Sequence, residues 1–319
     1  MPEIETAASS PSGPPVGFAA PVPPSGYRWW YLDGLSDDGR YGFVIIAFVG
    51  SVFSPYYFSA RQRGATPAED YTAINVCLYK PGGDRWSMTE RSSKSLSRDS
   101  THFQVAASRL EWRGDTLETV IDERSAPFGR RLRGTIRLEP QVINERRFEL
   151  DRDGRHGWQP VAPVARVELR FEHPDLNFSG HGYLDSNDGS RMLELDFAYW
   201  NWSRSTADLQ TTVYYVAEHT GGHSKALALR FSERAGCDEV ALPAAQPLRR
   251  SGWRIDRVAR DDAPLAIVRD LEDTPFYSRT LLETGGGPAR FCMHESLDMR
   301  RFKQAWVRTL LPFRMPRRG

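Results

Sequence analysis

The sequence predicts a mainly β protein made of antiparallel barrels or sandwiches. Two observations predict it: short apolar runs alternate with polar residues at the period of a strand, and turn signals recur between them. Long amphipathic helical runs are scarce, which points the same way.

The elements follow in order. Residues 1 to 25 are rich in Pro, Ser and Ala, with Pro14, Pro15, Pro21, Pro23 and Pro24 leaving little room for regular structure, so a disordered tail is expected there. Tyr41 to Val49 is almost wholly apolar, as in a strand covered on both faces. Leu132, Ile136 and Leu138 face away from Arg133, Thr135 and Arg137. Val167, Leu169 and Phe171 interleave with Glu168, Arg170 and Glu172, and Leu227, Leu229 and Phe231 also alternate, so each run is a strand with one wet face. Asp37-Asp38-Gly39, Pro81-Gly82-Gly83, Arg113-Gly114-Asp115, Asn187-Asp188-Gly189 and Gly221-Gly222 read as turns. Tyr31-Leu32-Asp33 recurs half a chain later as Tyr183-Leu184-Asp185, each followed by a turn signal and an apolar or aromatic strand. That repeat agrees with two similar barrels, 26–160 and 161–319, divided near the proline-rich stretch Pro160 to Pro163. Met299, Phe302, Trp306 and Leu310 then fall at helical spacing, and Pro312 ends the helix.

Composition narrows the function. A formal charge of +1 lacks the basic excess that bulk binding to nucleic acid needs. The 3 cysteines, Cys77, Cys237 and Cys292, are far apart and form no Cys-x-x-Cys pair, which speaks against a zinc site or a disulfide framework and for a reducing compartment. No basic segment precedes an apolar run at the N-terminus, and no run reaches the ~18 apolar residues of a membrane span, so neither a signal peptide nor a transmembrane helix is expected. His219 and His223 flank two glycines, a turn rather than a metal-binding helix; His294-Glu295 lacks a second His at helical spacing; and Gly285-Gly286-Gly287 lacks the strand–helix setting of a phosphate loop. A metal or nucleotide cofactor is therefore not expected.

Longer stretches carry a resemblance. Gly26 to Tyr57 (GYRWWYLDGLSDDGRYGFVIIAFVGSVFSPYY), Ala73 to Glu90 (AINVCLYKPGGDRWSMTE), Gly180 to Arg204 (GHGYLDSNDGSRMLELDFAYWNWSR) and Leu310 to Arg317 (LLPFRMPR) resemble bacterial carotenoid 1,2-hydratases, also called hydroxyneurosporene synthases. The resemblance covers nearly everything after residue 25. It implies a pair of lipocalin-like β-barrels, no cofactor, and acyclic carotenoids such as neurosporene and lycopene as substrates. It also makes a His-x-Trp pair, here His156 and Trp158, and a Tyr-x-Asp pair, here Tyr183 and Asp185, the catalytic residues. Phe178 stands where the family usually has Trp, a departure that bears on the substrate more than on the reaction.

The chemistry assigns expectations to these residues. Hydrating an isolated trisubstituted alkene takes an acid to protonate C2, tolerance of a tertiary cation at C1, and one water. Asp185 is the expected proton donor, provided burial lifts it from the ordinary carboxylate range of ~3.9. Tyr183, two residues away on the same strand face, can hold the carboxyl or the water. Taken alone, the pair also fits a hairpin in which Asp185 caps the Asn187-Asp188-Gly189 turn and Tyr183 is core; the resemblance favours the catalytic role. Trp158 is expected to face the cation with its ring, and His156 to accept the water's proton or orient the Asp. Trp200 and Trp202 on one strand face, with Trp30, Tyr31, Phe53, Tyr56 and Tyr57, are candidates to line a polyene channel, core packing being the alternative for at least half of them. A small barrel holds a modest ligand, so only the end group of the long chain is expected inside. The 7 basic and 0 acidic residues from Met299 to Gly319 suit the surface of an anionic membrane, with Phe302 and Trp306 at headgroup level. That reading puts the protein on the cytoplasmic side of the inner, photosynthetic membrane; the alternative is a helix packed on a barrel with its basic face in water. Two rivals share these features: a non-catalytic lipocalin-like carrier of carotenoid or lipid, and a hydratase or cyclase of another prenyl chain.

Overall fold

The alternating runs close into two large antiparallel sheets, of twelve and seven strands, and a two-stranded ribbon of Ala245–Leu248 and Arg257–Arg260, among the residues that the computed structural model describes, 16–285 and 290–318. The larger sheet runs from Arg85–Met88 through Thr72–Tyr79, Gly42–Val49, Tyr27–Ser36, Leu176–Gly189, His156–His173, Arg131–Val142 and Thr116–Arg124 to Leu96–Arg98. Residues from both ends of that order, Ile74, Val76, Leu78, Phe103 and Leu110, share one core with Trp30 and Leu32, so the sheet curls on itself. Its other face carries Tyr31, Val44, Phe48 and Tyr183 and packs on the second sheet, which brings Trp200, Trp202, Tyr215 and Met293 into a second core. Gly42–Val49 is apolar throughout because each face meets a different core, Phe43 and Ile45 the first, Val44 and Phe48 the second.

Several expectations give way. The division at 160/161 falls inside one strand, His156–His173, whose register shifts at Pro160/Ala162 and Ala162/Ala165. The prolines sit at this irregularity, where no regular ladder bond is lost, so they bend the strand without ending it. The sheets divide instead between Gly189 and Phe197, at the short Leu193–Asp196 helix. Asn187-Asp188-Gly189 is not a turn: it ends the Leu176–Gly189 strand, paired to Tyr27–Trp29 on one side and His156–Trp158 on the other. Residues 1–15 of the expected tail lie outside the described residues, as do residues 286 and 287 of the glycine run. Residues 16–25 are fixed, because Phe18 fills the first core against Trp30 and Phe103 and Arg98 donates to the Phe18 and Ala20 carbonyls. The C-terminal helix is broken in two, Met299–Phe302 and Ala305–Leu310, followed by a turn at Leu311–Phe313. Phe302 is fully buried against Phe53, Phe58 and Phe276 and cannot reach a headgroup layer.

Candidate active site

The two Tyr-Leu-Asp triplets lie side by side. The Tyr27–Ser36 and Leu176–Gly189 strands pair antiparallel with Tyr31 opposite Asp185, Leu32 opposite Leu184, and Asp33 opposite Tyr183. The repeat therefore marks neighbouring strands of one sheet, not equivalent places in two barrels. Alternation sends both leucines into the first core and both Tyr–Asp pairs toward the second sheet. The pairs have the same geometry: Tyr31 donates to Asp33 Oδ2 at 2.9 Å and Tyr183 to Asp185 Oδ2 at 3.0 Å.

Their surroundings set them apart. Asp33 faces the Arg204 guanidinium, which reaches across from the second sheet; Arg204 Nε lies 2.7 Å from Oδ1. Among the described residues no cation pairs with Asp185. Its Oδ2 accepts a second hydrogen bond from the Trp158 indole N–H at 2.8 Å, and its Oδ1 is buried with no partner. Burial lifts the Asp185 pKa well above the ordinary carboxylate value; the bonds from Trp158 and Tyr183 oppose the rise, and the nearby Glu295 and Asp33 carboxylates add to it. With both donors on Oδ2, the proton of the neutral acid belongs on Oδ1. Tyr183 is itself held well above its ordinary pKa, by burial and then by Asp185, so it stays a donor.

Asp185 lines a chamber of about 40 Å³ with Trp29, Tyr31, Asn187, Trp200, Trp202, Tyr215 and Glu295. That is room for a water or a small group. The chamber shares Trp29, Tyr31, Trp200 and Glu295 with a mostly apolar cavity of about 110 Å³, walled further by Ile46, Phe48, Phe53, Phe276, Leu311 and Met315. The apolar cavity and the chamber thus share an aromatic wall, and the chamber is lined by a carboxyl one of whose oxygens has no partner among the described residues.

The sequence-expected residues divide on this geometry. Asp185, Tyr31, Trp200 and Trp202 line the chamber, Phe53 lines the outer cavity, and Tyr183 holds Asp185. Trp158 meets Asp185 through its N–H, while its ring is fully buried between Phe148 and Tyr215 and lines neither space. His156 does not reach Asp185: its ring nitrogens are engaged by the Tyr27 hydroxyl at 3.0 Å and Asp196 at 2.9 Å, and it packs edge-on against Phe197. Trp30 and Tyr57 belong to the first core, the latter donating to the Gly26 carbonyl, and Tyr56 lies outside both spaces. Alternation separates Trp30 from its neighbours Trp29 and Tyr31. Phe178 stacks on Tyr41 away from the cavity. Sequence reasoning missed Asp33, Glu295 and Arg279 as site residues. A signal for them existed: each is a charge on the inward face of an alternating strand, between Tyr31 and Leu35, Met293 and Leu297, and Tyr277 and Leu281.

Residues 45–319 match the family model described as carotenoid hydratase CrtC. The chain is 45% identical over 306 residues to an acyclic carotenoid 1,2-hydratase of Thiocapsa roseopersicina, covering 95% of this chain and 76% of that protein. It is 41% identical over 308 residues to the enzyme of that description from Rubrivivax gelatinosus, with the same two shares, 95% and 76%. To the one from Rhodobacter capsulatus it is 36% identical, covering 86% of this chain and 98% of that protein. Among solved structures, an AttH-type protein of Nitrosomonas europaea superposes over 88% of this chain and 94% of its own at a TM-score of 0.61 and 14% identity, which speaks for the fold alone. The family match over residues 45–319 and the identity to these relatives place the chain in the CrtC carotenoid hydratase family.

Proposed function

We infer that this chain is an acyclic carotenoid 1,2-hydratase and that Asp185 is its acid. The observation that carries the assignment is a buried carboxyl with no cation beside it among the described residues, lining a small chamber that shares its aromatic wall with an apolar cavity.

The reaction balances with water alone. Asp185 gives the Oδ1 proton to C2 of the terminal double bond, and the positive charge appears at tertiary C1. Water attacks C1, and the resulting oxonium loses a proton to a carboxylate. Trp29, Tyr31, Trp200 and Trp202 surround the place where the cation forms. A desolvated cation over an indole face gains ~2 kcal/mol, roughly thirtyfold in rate if the gain is confined to the transition state. A cavity of about 110 Å³ is far smaller than the ~300–1,000 Å³ of ordinary ligand pockets, so the chain end enters and the rest of the polyene stays outside.

The test is an incubation with lycopene and neurosporene in liposomes, without added cofactor, wild type beside Asp185→Asn. Product heavier by one water is expected from wild type, with a loss of roughly 10²–10⁴-fold in the variant. Comparable product from both removes Asp185 from the role.

The long apolar substrate also gives the C-terminal segment a use. Leu311 and Met315 wall the cavity, while on the outside Trp306 is 46% exposed, Leu310 41% and Phe313 76%, with Trp253 stacked beside Trp306. Lys303, Arg308 and Arg318, which form no salt bridge among the described residues, supply attraction to anionic lipid, ~1 kcal/mol each. This is the expected membrane-facing side, with Trp306 and Phe313 in place of the buried Phe302. Co-sedimentation with anionic vesicles is expected to fall several-fold in Trp306→Ala/Phe313→Ala; unchanged sedimentation moves the contact elsewhere. Among the described residues no helix is long and apolar enough to cross a membrane.

A further inference from the structure

Resting on the hydratase reading, we propose that Glu295 is the general base that holds and deprotonates the attacking water. Asp185 is set up to give a proton to C2, and addition of water also needs a group placed to hold the water and take its proton. Glu295 is that group by position. It lies on the Arg290–Asp298 strand, paired with Trp202 on one side and Arg279 on the other, and it borders both the chamber of Asp185 and the apolar cavity.

Its partners keep one oxygen available. Arg279 Nε donates to Glu295 Oε1 at 2.8 Å, and among the described residues no donor is bonded to Oε2. Arg279 spends its Nη1 on Glu272 at 2.7 Å and on the Tyr79 hydroxyl at 2.6 Å. Glu272 is shared with Arg314 at the rim as well, 3.6 Å away, so it is the better neutralised of the two carboxylates and the farther from the acid. A counter-ion for Arg279 alone would not need to face the acid's chamber.

The step is balanced. The Asp185 proton forms the C2–H bond with the π electrons, leaving C1 cationic and Asp185 ionised. A water hydrogen-bonded to Glu295 Oε2 then bonds its oxygen to C1, and its proton passes to Glu295. A second water relays a proton from Glu295 to Asp185, restoring both groups. The anion at the chamber wall also favours the cation and disfavours early ionisation of Asp185.

The experiment uses the full chain and lycopene in liposomes made in D2O, with Glu295→Gln and Asp185→Asn beside wild type. Gln keeps the shape and an acceptor for Arg279 but cannot take the proton. Glu295→Gln is expected to lose 10²-fold or more in kcat with KM changed less than about threefold. The recovered lycopene should carry deuterium at C2, since the cation still forms and collapses by returning a proton from C2 to Asp185. Asp185→Asn should give neither product nor deuterium. Wild-type kcat in Glu295→Gln, or a folded, carotenoid-binding Glu295→Gln with neither product nor deuterium, overturns the base role. Product from Asp185→Asn instead overturns the underlying acid assignment. Should Glu295→Gln fail to fold, Glu295→Asp keeps the charge beside Arg279 and withdraws the carboxylate by one methylene. A raised ratio of deuterated lycopene to hydrated product supports the proposal, and a wild-type ratio overturns it.

Discussion

At the scale of residues, one triplet serves two ends. Asp33 and Asp185 sit on the same face of neighbouring strands, each bonded by a tyrosine two residues before it. Arg204 turns the first into half of an ion pair, whereas the second meets an indole N–H and a chamber. Trp158→Phe isolates what that N–H contributes. A donor to a carboxylate favours the anion, so its loss raises the already elevated Asp185 pKa and makes the acid weaker. Hydration needs protonated Asp185 and is lost as pH rises through its folded-state pKa. Trp158→Phe is therefore expected to lower the plateau rate about tenfold and to move the alkaline limb to higher pH. Rate–pH profiles of the two proteins check this; an alkaline limb moved to lower pH contradicts the assigned bond.

At the scale of elements, the C-terminal segment acts as a strap. Its helices are too short to be stable alone, and it is held by buried Met299, Phe302 and Val307 and by the last residues. Arg317 pairs with Glu90 at 2.5 Å, and backbone bonds join Glu90 to Pro316 and Arg318. Burial raises Glu90 to about 7 despite that partner. A raised pKa contributes stability that is complete below the unfolded value, ~4.3, and lost as pH rises through about 7. Arg317→Ala removes the partner of the ionised form, so it should cost little at pH 5 and about 1–2 kcal/mol at pH 8, the partial exposure of Arg317 limiting the figure. Hydrogen exchange over residues 305–318 is the measurement, with faster exchange at pH 8 expected to accompany weaker carotenoid binding, since Leu311 and Met315 wall the cavity.

Strand existence was legible at this scale because alternation reports which face is dry. Asn187-Asp188-Gly189 misled because its composition is that of a turn, while two neighbouring strands supply it with ladder partners. The helical spacing of Met299, Phe302, Trp306 and Leu310 was real, yet the chain breaks at Lys303 and Gln304 to seat Phe302 among Phe53, Phe58 and Phe276.

At the scale of the whole molecule, the site is the seam between two sheets, and the Asp33–Arg204 pair crosses it, both members almost wholly buried. Burial opposes the charge on Arg204, but the Asp33 carboxylate outweighs it and holds the guanidinium above its ordinary range. Removing one member strands the other. Arg204→Met is expected to destabilise by ~3–5 kcal/mol, and Asp33→Asn/Arg204→Met to recover most of that loss. Denaturant unfolding of the four proteins of the cycle decides; additive losses would mean that the two residues do not act as a pair.

Sequence by itself determined the β class, most strands, the Tyr183–Asp185 alignment and the family, since these depend on local period and on long family-like stretches. Tertiary structure decided what surrounds them: that Trp158 offers its N–H rather than its ring, that His156 ties Tyr27 to Asp196, that Trp30 and Tyr57 are core, and that Glu295 and Arg204 enter the seam. The reason is physical. A strand's period fixes which way a side chain points, but the partner it meets, and so whether a carboxyl keeps its proton, depends on residues far off in the chain that only the packing of one sheet on the other brings within reach.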